Sequence, residues 1–295
     1  MSGVNNVPLV NGPVGIIGAG PVAQALGRLL LVNGEPVVAI TSRSPANAVR
    51  AAAFIGPSIQ AVSYSEIPRV ATRIIIAVAD EGIASIAESL ASFKMTGLVL
   101  HTSGASGLKP LLPLREVGVA CGMLHPLQTI VSAKQGVKDL KGIAFGLTGD
   151  HLAVDWGKTI VSLLHGEVLS LSDQDVASYH AGAVMASNAL VAAIDAAMVL
   201  MNHAGIESKL ALRAIGPLCR SSVENTMYLG PKAALTGPIV RGDAATVGLH
   251  LAATKRNPST VGDLYRATAR HLLFIARQRN IPKETLRELE KALEI

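Results

Sequence analysis

The feature that most constrains the fold is a glycine pattern between two apolar segments near the start of the chain. In the stretch GPVGIIGAGPVAQALGRLL (12–30), a strand-like run, VGII, precedes the glycines, and a helical segment follows them. In such GxGxxA turns the first glycine allows a tight turn, the second lets a pyrophosphate approach, and the small third residue allows close packing. The alternative is a glycine turn without a ligand. We predict that a dinucleotide lies at this helix N-terminus, against Gly18, Ala19, Gly20, Pro21, Val22 and Ala23.

Strand-like and helical segments alternate up to residue 172, and only helical segments follow. Runs such as RIIIAVA (73–79) and GIAFGLTG (142–149) are short and apolar, whereas the segments between the runs have helical spacing. This alternation predicts an α/β fold with a doubly wound, mostly parallel Rossmann sheet, followed by an all-α C-terminal domain. We expect a nucleotide-binding domain over residues 1–172 and a helical substrate and dimerisation domain over residues 173–295.

The most apolar helical segment, AGAVMASNALVAAIDAAMVLM (181–201), is long enough to cross a membrane. It contains Ser187, Asn188 and Asp195, and their polar groups are costly in lipid. A helix of this composition is better covered between domains or between subunits. We therefore expect no membrane association and a homodimer formed through the helical domain.

Composition narrows the class of protein. Of the 295 residues, 49% are hydrophobic and 16% are charged, as in a globular protein. The formal net charge is +5, but the chain has no Lys/Arg block and no zinc spacing. This pattern disfavours nucleic acid and bound metal and favours small anionic ligands. Cys121 and Cys219 have no motif around them, which indicates free thiols in a reducing compartment. Residues 1–12 lack the features of a signal peptide, so we expect a cytoplasmic protein.

The loop after the second predicted strand indicates which dinucleotide binds. The strand runs into TSRSPAN (41–47), which contains no Asp or Glu. NAD sites usually place an acidic residue there for the ribose hydroxyls. Thr41, Ser42 and Arg43 instead suit the 2′-phosphate of NADP, because a guanidinium grips phosphate bidentately. The loop predicts NADP as the cofactor, and the alternative is a solvated polar loop.

Further candidate residues follow later predicted strands, at the sheet edge where open α/β sheets bind ligands. Ala79 and Asp80 follow one strand, and Thr102 follows the next; we expect these three against the cofactor. Ser103 and His125 are the candidates for chemistry, because a histidine pKa near neutrality suits proton transfer and a hydroxyl can bond the substrate. The alternatives are a turn residue for Ser103 and a structural histidine before a proline for His125.

The helical half of the chain supplies a second group of candidates. His180 and Asn188 share one face of the long helix, where they line a cleft between domains or pair within the interface. In LTGPIVRGDAAT (235–246), Thr236 and Arg241 are candidates for substrate binding, with Arg241 clamping a carboxylate. Asp243 in the same loop has the position of a helix N-cap.

These motifs together resemble a family. The chain resembles Rossmann-like oxidoreductases with an uncharacterised helical C-terminal domain, relatives of pyrroline-5-carboxylate reductase and of deazaflavin-dependent NADP oxidoreductases. The resemblance implies an NADP domain followed by a helical domain of the 6-phosphogluconate dehydrogenase type, which builds the substrate cleft and a dimer interface. The matching motifs are IIGAGPVAQALG, TSRSPANA, LHTSGASG, GMLHPLQT, YHAGAVMASN and TGPIVRGDAATV.

Two related families refine the expected chemistry. The TSG…HP arrangement is similar to that of prephenate dehydrogenase, which implies that His125 binds a substrate hydroxyl. The β-hydroxyacid dehydrogenases carry a lysine four residues before the helix asparagine, and Val184 stands there in this chain. A lysine-based mechanism is therefore disfavoured, and either His125 or His180 would handle the proton.

The sequence as a whole predicts an NADP(H)-dependent oxidoreductase. We expect hydride transfer to or from a small carbonyl, hydroxyl or imine compound that carries a carboxylate. Two alternatives stay open: a deazaflavin:NADP oxidoreductase, and a non-catalytic NADP-binding sensor or scaffold.

Overall fold

A computed structural model describes residues 11–279 and 281–294 of the chain. The N-terminal segment, where we predict no signal peptide, lies largely outside the described residues. The chain divides into two compact units, residues 1–185 and residues 186–295. The predicted domain boundary at residue 172 comes just after the last strand, whereas the division between the units falls within the long helix that follows.

The first unit is built around one eight-stranded sheet. Its strand order is β3-β2-β1-β4-β5-β6-β7-β8, and every neighbouring pair is parallel except β6 and β7. The order reverses beside β1, which lies between β2 and β4. This confirms the predicted doubly wound, mostly parallel sheet. The strands are β1 Val14–Ile17, β2 Val37–Thr41, β3 Gln60–Ala61, β4 Arg73–Ile76, β5 Leu98–His101, β6 Ala120–Pro126, β7 Ala144–Gly149 and β8 Glu167–Ser170.

Helices cover both faces of this sheet, because its strands are apolar on both sides. One buried cluster contains Leu26, Ile55 and Trp156. A second contains Ile76, Ile83, Leu90 and Val99. The helices are α1 Pro21–Val32, α2 Pro45–Ile55, α3 Ile67–Val70, α4 Ile83–Ser92, α5 Leu112–Glu116, α6 Ala133–Asp139 and α7 His151–Leu163.

A buried ion pair lies where β4 begins. The Arg73 guanidinium donates to a carboxylate oxygen of Glu35 at 2.6 Å, and the two side chains are 2% and 8% exposed. Arg73 Nε also donates to the Gly12 carbonyl at 2.6 Å. The same guanidinium lies over the Trp156 ring, 5.3 Å from its centroid. These contacts join β4, the turn after α1, and α7.

The region after β8 is helical, as predicted. Its helices from α11 onward pack around a separate buried cluster that includes Ile239, Val247, Leu273 and Leu289. The helices are α8 Val176–His203, α9 Ser208–Leu229, α10 Pro231–Ala234, α11 Pro238–Arg241, α12 Ala244–Thr254, α13 Ser259–Ala276 and α14 Lys283–Ala292.

The long helix has the length and composition of a membrane span. Among the described residues, one helical stretch passes this test, Asp173–His203, and none of its most apolar window is buried within the chain. Its exposed side chains include Met185 and Val191. Length and composition are weak evidence for a membrane, and the absence of membrane association stays a prediction.

Candidate active site

The turn after β1 explains why three small residues are needed at the start of α1. Gly18 has a φ of +122°, and a Cβ there would lie 2.0 Å from the Ala77 carbonyl oxygen. A Cβ on Gly20 would meet no atom within 4 Å, so this backbone faces open space. Ala23 is fully buried in the cluster shared by α1 and the sheet. Ala23 therefore serves packing, which corrects the prediction that it contacts the nucleotide.

A cleft of about 990 Å³ opens beside this turn. It lies outside the carboxyl ends of β1 and β4, where the strand order reverses and open α/β sheets bind ligands. Glycine and alanine backbone forms one part of its wall, and hydroxyl, amide and guanidinium groups form another. The lining residues are Gly18, Ala19, Gly20, Pro21, Val22, Ser42, Arg43, Ser44, Asn47, Tyr64, Ala77, Val78, Ala79, Glu81, Gly82, Ser85, Ile86, Ser89 and Thr102.

Two other predicted cofactor contacts lie outside this wall. Thr41 is the last residue of β2 and is 1% exposed, so its hydroxyl cannot reach a phosphate. Its carbonyl instead accepts a hydrogen bond from the Gly18 N–H at 2.8 Å and holds the glycine turn. Asp80 begins a short 3₁₀ turn and is exposed. Thr41 is thus a structural residue, and Asp80 is not among the residues that line the cleft.

The polar end of the cleft is formed by the loop between β2 and α2. The Ser42 hydroxyl donates to the Ser44 carbonyl at 2.7 Å, and the Ser44 hydroxyl accepts from the Asn47 N–H at the start of α2. These bonds hold the loop so that Arg43 lines the cleft. Tyr64 lines the same cleft as Arg43; burial raises the pKa of Tyr64, and the Arg43 charge opposes that rise. Sequence reasoning missed Asn47 and Tyr64; Tyr64 lies in a stretch with no recognisable motif.

A second cluster of side chains lies in the same unit, around His125 in β6. His125 Nδ1 is 2.9 Å from the Tyr179 hydroxyl, and the His125 ring is edge-on to the rings of Tyr179 and His180. A Cβ on Gly104 would come within 2.7 Å of both imidazoles, so the loop after β5 packs directly against them. The structure thus brings the two predicted histidines together. It also adds Tyr179, which belongs to the motif YHAGAVMASN but was not predicted as a site residue.

The environment of His125 changes the chemistry expected of it. Burial is the main cause that lowers its pKa to about 4, and the neighbouring His180 lowers it further, while Asp80 opposes the shift. The expected pKa near neutrality is therefore wrong, because the ring is taken out of water beside another imidazole. At pH 7 His125 is neutral.

This pKa makes stability depend on pH in a defined window. The pKa of His125 is about 4 in the folded chain, against an ordinary value of 6.5. The unfolded chain therefore binds the proton more readily, and stability falls as pH decreases from about 6.5 to about 4. We expect His125 to account for a loss of about 2–3 kcal/mol over that range. Urea unfolding of wild type and His125→Gln at pH 7 and pH 4.5 measures this difference, and an equal pH dependence in both would contradict it.

Ser103 has a different role from the one predicted. It is 6% exposed, its hydroxyl lies 2.8 Å from that of Ser106, and it accepts from two backbone N–H groups in the same turn. Its own N–H donates to Nδ1 of the buried His101, whose Nε2 bonds the Gly107 carbonyl at 2.6 Å. Ser103 is a turn residue held by His101, which corrects its assignment to the substrate.

The remaining candidates belong to the helical unit. Asn188 accepts a hydrogen bond from the Ser187 hydroxyl at 2.9 Å, and Thr236 and Arg241 are exposed. Asp243 caps α12 by accepting from the Thr246 N–H and hydroxyl, as its position predicted. A substrate role for Asn188, Thr236 and Arg241 stays a prediction. Within the described residues, no group of three or more His, Cys, Asp or Glu side chains is arranged to hold a metal ion.

The fold and the glycine turn define a Rossmann-like domain. Two family models match the chain: a Rossmann-like domain over residues 4–126 and a domain of unknown function, DUF2520, over residues 143–272. The chain therefore carries a Rossmann-like domain followed by a DUF2520 domain. No curated protein sequence matches it.

Solved structures share this architecture. A Bacteroides fragilis protein named as an NADP oxidoreductase is 24% identical, with a TM-score of 0.72 over 90% of this chain and 98% of the other. An imine reductase from Myxococcus stipitatus in complex with NADP+ is 13% identical, with a TM-score of 0.61 over 90% and 93%. An NADH-preferring ketol-acid reductoisomerase from an uncultured archaeon is 13% identical, with a TM-score of 0.65 over 99% and 94%. At these identities the similarity establishes the fold.

Proposed function

We propose that this protein is an NADP(H)-dependent oxidoreductase that acts on a small carbonyl, hydroxyl or imine compound. The observation that carries the proposal is the cleft beside β1, whose wall joins the glycine turn to Arg43 at one end and to Thr102 at the other. A dinucleotide needs these features along one groove: an anion site at a helix N-terminus, a site for the adenosine end and a place for the nicotinamide.

The residues present fit the adenosine end of NADP. Arg43, Ser42, Ser44 and Asn47 line the cleft together, and the loop that carries them contains no carboxylate to repel a phosphate. Arginine binds phosphate through paired, charge-assisted hydrogen bonds. This chemistry supports NADP over NAD, although one protein of the same fold prefers NADH.

The residues at the other end fit a redox site. Ala79 and Thr102 line the cleft, and Gly104, two residues after Thr102, packs against His125 and His180. A bound nicotinamide supplies or accepts hydride. His125 and the neighbouring side chains would hold the substrate oxygen or nitrogen. The proposed enzyme is a cytoplasmic homodimer, formed through the helical domain, that acts on a small-molecule substrate.

The binding preference tests this proposal. We expect wild type to bind NADPH more tightly than NADH, and Arg43→Ala to weaken NADPH binding by about 10- to 100-fold, since a charge-assisted hydrogen bond contributes about 1.5–3 kcal/mol. NADH binding should change little. Titration followed by the fluorescence of the bound nicotinamide measures all four constants.

Arg69→Ala is the matched control. Arg69 is an exposed arginine on α3 that does not line the cleft, so its removal changes the net charge equally and should leave both affinities unchanged. Equal weakening by the two variants would mean that long-range charge, and not a phosphate site at Arg43, determines the preference.

A further inference from the structure

The contact between His125 and Tyr179 depends on the pairing of β6 with β7. β6 and β7 are antiparallel, and His125 lies directly opposite Gly146. A Cβ on Gly146 would lie 2.7 Å from the ring carbon Cζ and the hydroxyl of Tyr179. The missing side chain at Gly146 is therefore what lets Tyr179, at the start of α8, reach across β7 to His125.

The protonation of Tyr179 determines the direction of this contact. Burial raises the pKa of Tyr179, so the phenol keeps its proton at neutral pH. Its oxygen lies against the Gly146 backbone, because a Cβ there would be 2.7 Å away. Its one proton is then available for His125 Nδ1, 2.9 Å away. A neutral imidazole that accepts at Nδ1 carries its own proton on Nε2.

The Nε2 edge of His125 faces the loop after β5. A Cβ on Gly104 would lie 2.7 Å from both Nε2 and Cε1 of His125. Gly104 lies two residues after Thr102, which lines the cleft. The Nε2 edge of His125 therefore contacts the loop that carries this cleft residue. The other titratable groups that act on His125 are His180, Asp80 and His101.

We propose that Tyr179 is a positioning residue that holds His125 as the neutral Nε2–H tautomer, so that the site presents a hydrogen-bond donor to its substrate. A donor at this position suits a carbonyl oxygen. It also suits an unprotonated imine nitrogen, whereas the N–H of a protonated iminium needs an acceptor that Nε2–H cannot supply. Among the substrates of the proposed function, the geometry therefore favours those whose reacting oxygen or nitrogen accepts a hydrogen bond. This inference rests on the proposed function only in treating His125 as the group that faces the substrate.

Nitrogen-15 NMR of histidine-labelled protein tests the tautomer without any turnover. We expect wild-type His125, assigned by the loss of its signals in His125→Gln, to show a protonated Nε2 and an unprotonated Nδ1 at pH 7. In Tyr179→Phe, which removes only the hydroxyl, we expect the single tautomer to become a mixture of both. A wild-type Nδ1–H tautomer would overturn the proposal, and so would an unchanged tautomer in Tyr179→Phe.

The chain offers a matched control in its second histidine–tyrosine pair. His250 Nδ1 lies 2.8 Å from the Tyr265 hydroxyl in the helical unit, so Tyr265→Phe should alter the signals of His250 and leave those of His125 unchanged. A change at His125 in Tyr265→Phe would mean a general structural effect and would overturn the assignment. NADPH titration of wild type separates the two proposals: failure to bind would remove the proposed function and leave the tautomer result unaffected.

Discussion

Gly18→Ala is expected to destabilise the protein by about 3 kcal/mol or more, because the variant adds both backbone strain and a clash. The φ of +122° at this position is one that side chains other than glycine rarely adopt, and the new methyl group would lie 2.0 Å from the Ala77 carbonyl oxygen. That oxygen belongs to the backbone after β4, so it cannot move aside without disturbing the sheet. Urea unfolding followed by the fluorescence of the single tryptophan, Trp156, measures the loss.

Gly20→Ala is the matched variant, with the opposite pattern of effects. No atom lies within 4 Å of the added methyl group, and the φ of −75° is ordinary. We expect unchanged stability but weaker dinucleotide binding, by about tenfold or more, since the methyl group occupies the space that the pyrophosphate needs. If Gly20→Ala binds NADPH as wild type does, the pyrophosphate does not lie over this turn.

Glu35→Gln is expected to cost about 3–5 kcal/mol of stability, the range seen when one partner of a buried ion pair is removed. The change keeps the size of the side chain but leaves Arg73 without its countercharge, at a position that is 2% exposed. The guanidinium would retain the Gly12 carbonyl and the Trp156 ring, neither of which carries a negative charge. The free energy of unfolding in urea at pH 7 measures the cost.

Asp150→Asn is the control for this prediction. Asp150 pairs with Arg115 at 2.7 Å, and the two side chains are 30% and 38% exposed. Solvent screens such a pair, so its charge contributes at most about 1 kcal/mol. A loss of stability as large in Asp150→Asn as in Glu35→Gln would show that burial does not determine the value of these ion pairs.

The glycine turn could be predicted because each of its residues meets a local geometric demand. Few sequences satisfy a turn that needs a positive φ, an open backbone and a small packing residue. Gly18, Gly20 and Ala23 meet these three demands in that order. Apolar runs likewise predicted most strands of the sheet. The antiparallel pairing of β6 with β7 could not be predicted, since the direction of a buried strand leaves no trace in its hydrophobic pattern. The two-residue strand β3 is exposed and gives no apolar signal.

The errors at the site arise from contacts between distant residues. The apolar pattern predicts that Thr41 begins a loop, but β2 extends one residue further and ends at Thr41, whose hydroxyl is buried. His125 and Tyr179 are 54 residues apart in the chain, so neither their hydrogen bond nor the lowered pKa of His125 can be inferred from spacing. The Ser103 hydroxyl accepts hydrogen bonds from two N–H groups of its own turn, and these bonds could not be predicted from the sequence.

A crystal structure of the protein with saturating NADP+ tests the central claim most directly. The account predicts the pyrophosphate over Gly20 at the start of α1, the 2′-phosphate against Arg43, and the nicotinamide beside Ala79 and Thr102. A cofactor bound elsewhere, or an adenosine end that lies away from Arg43, would contradict the account.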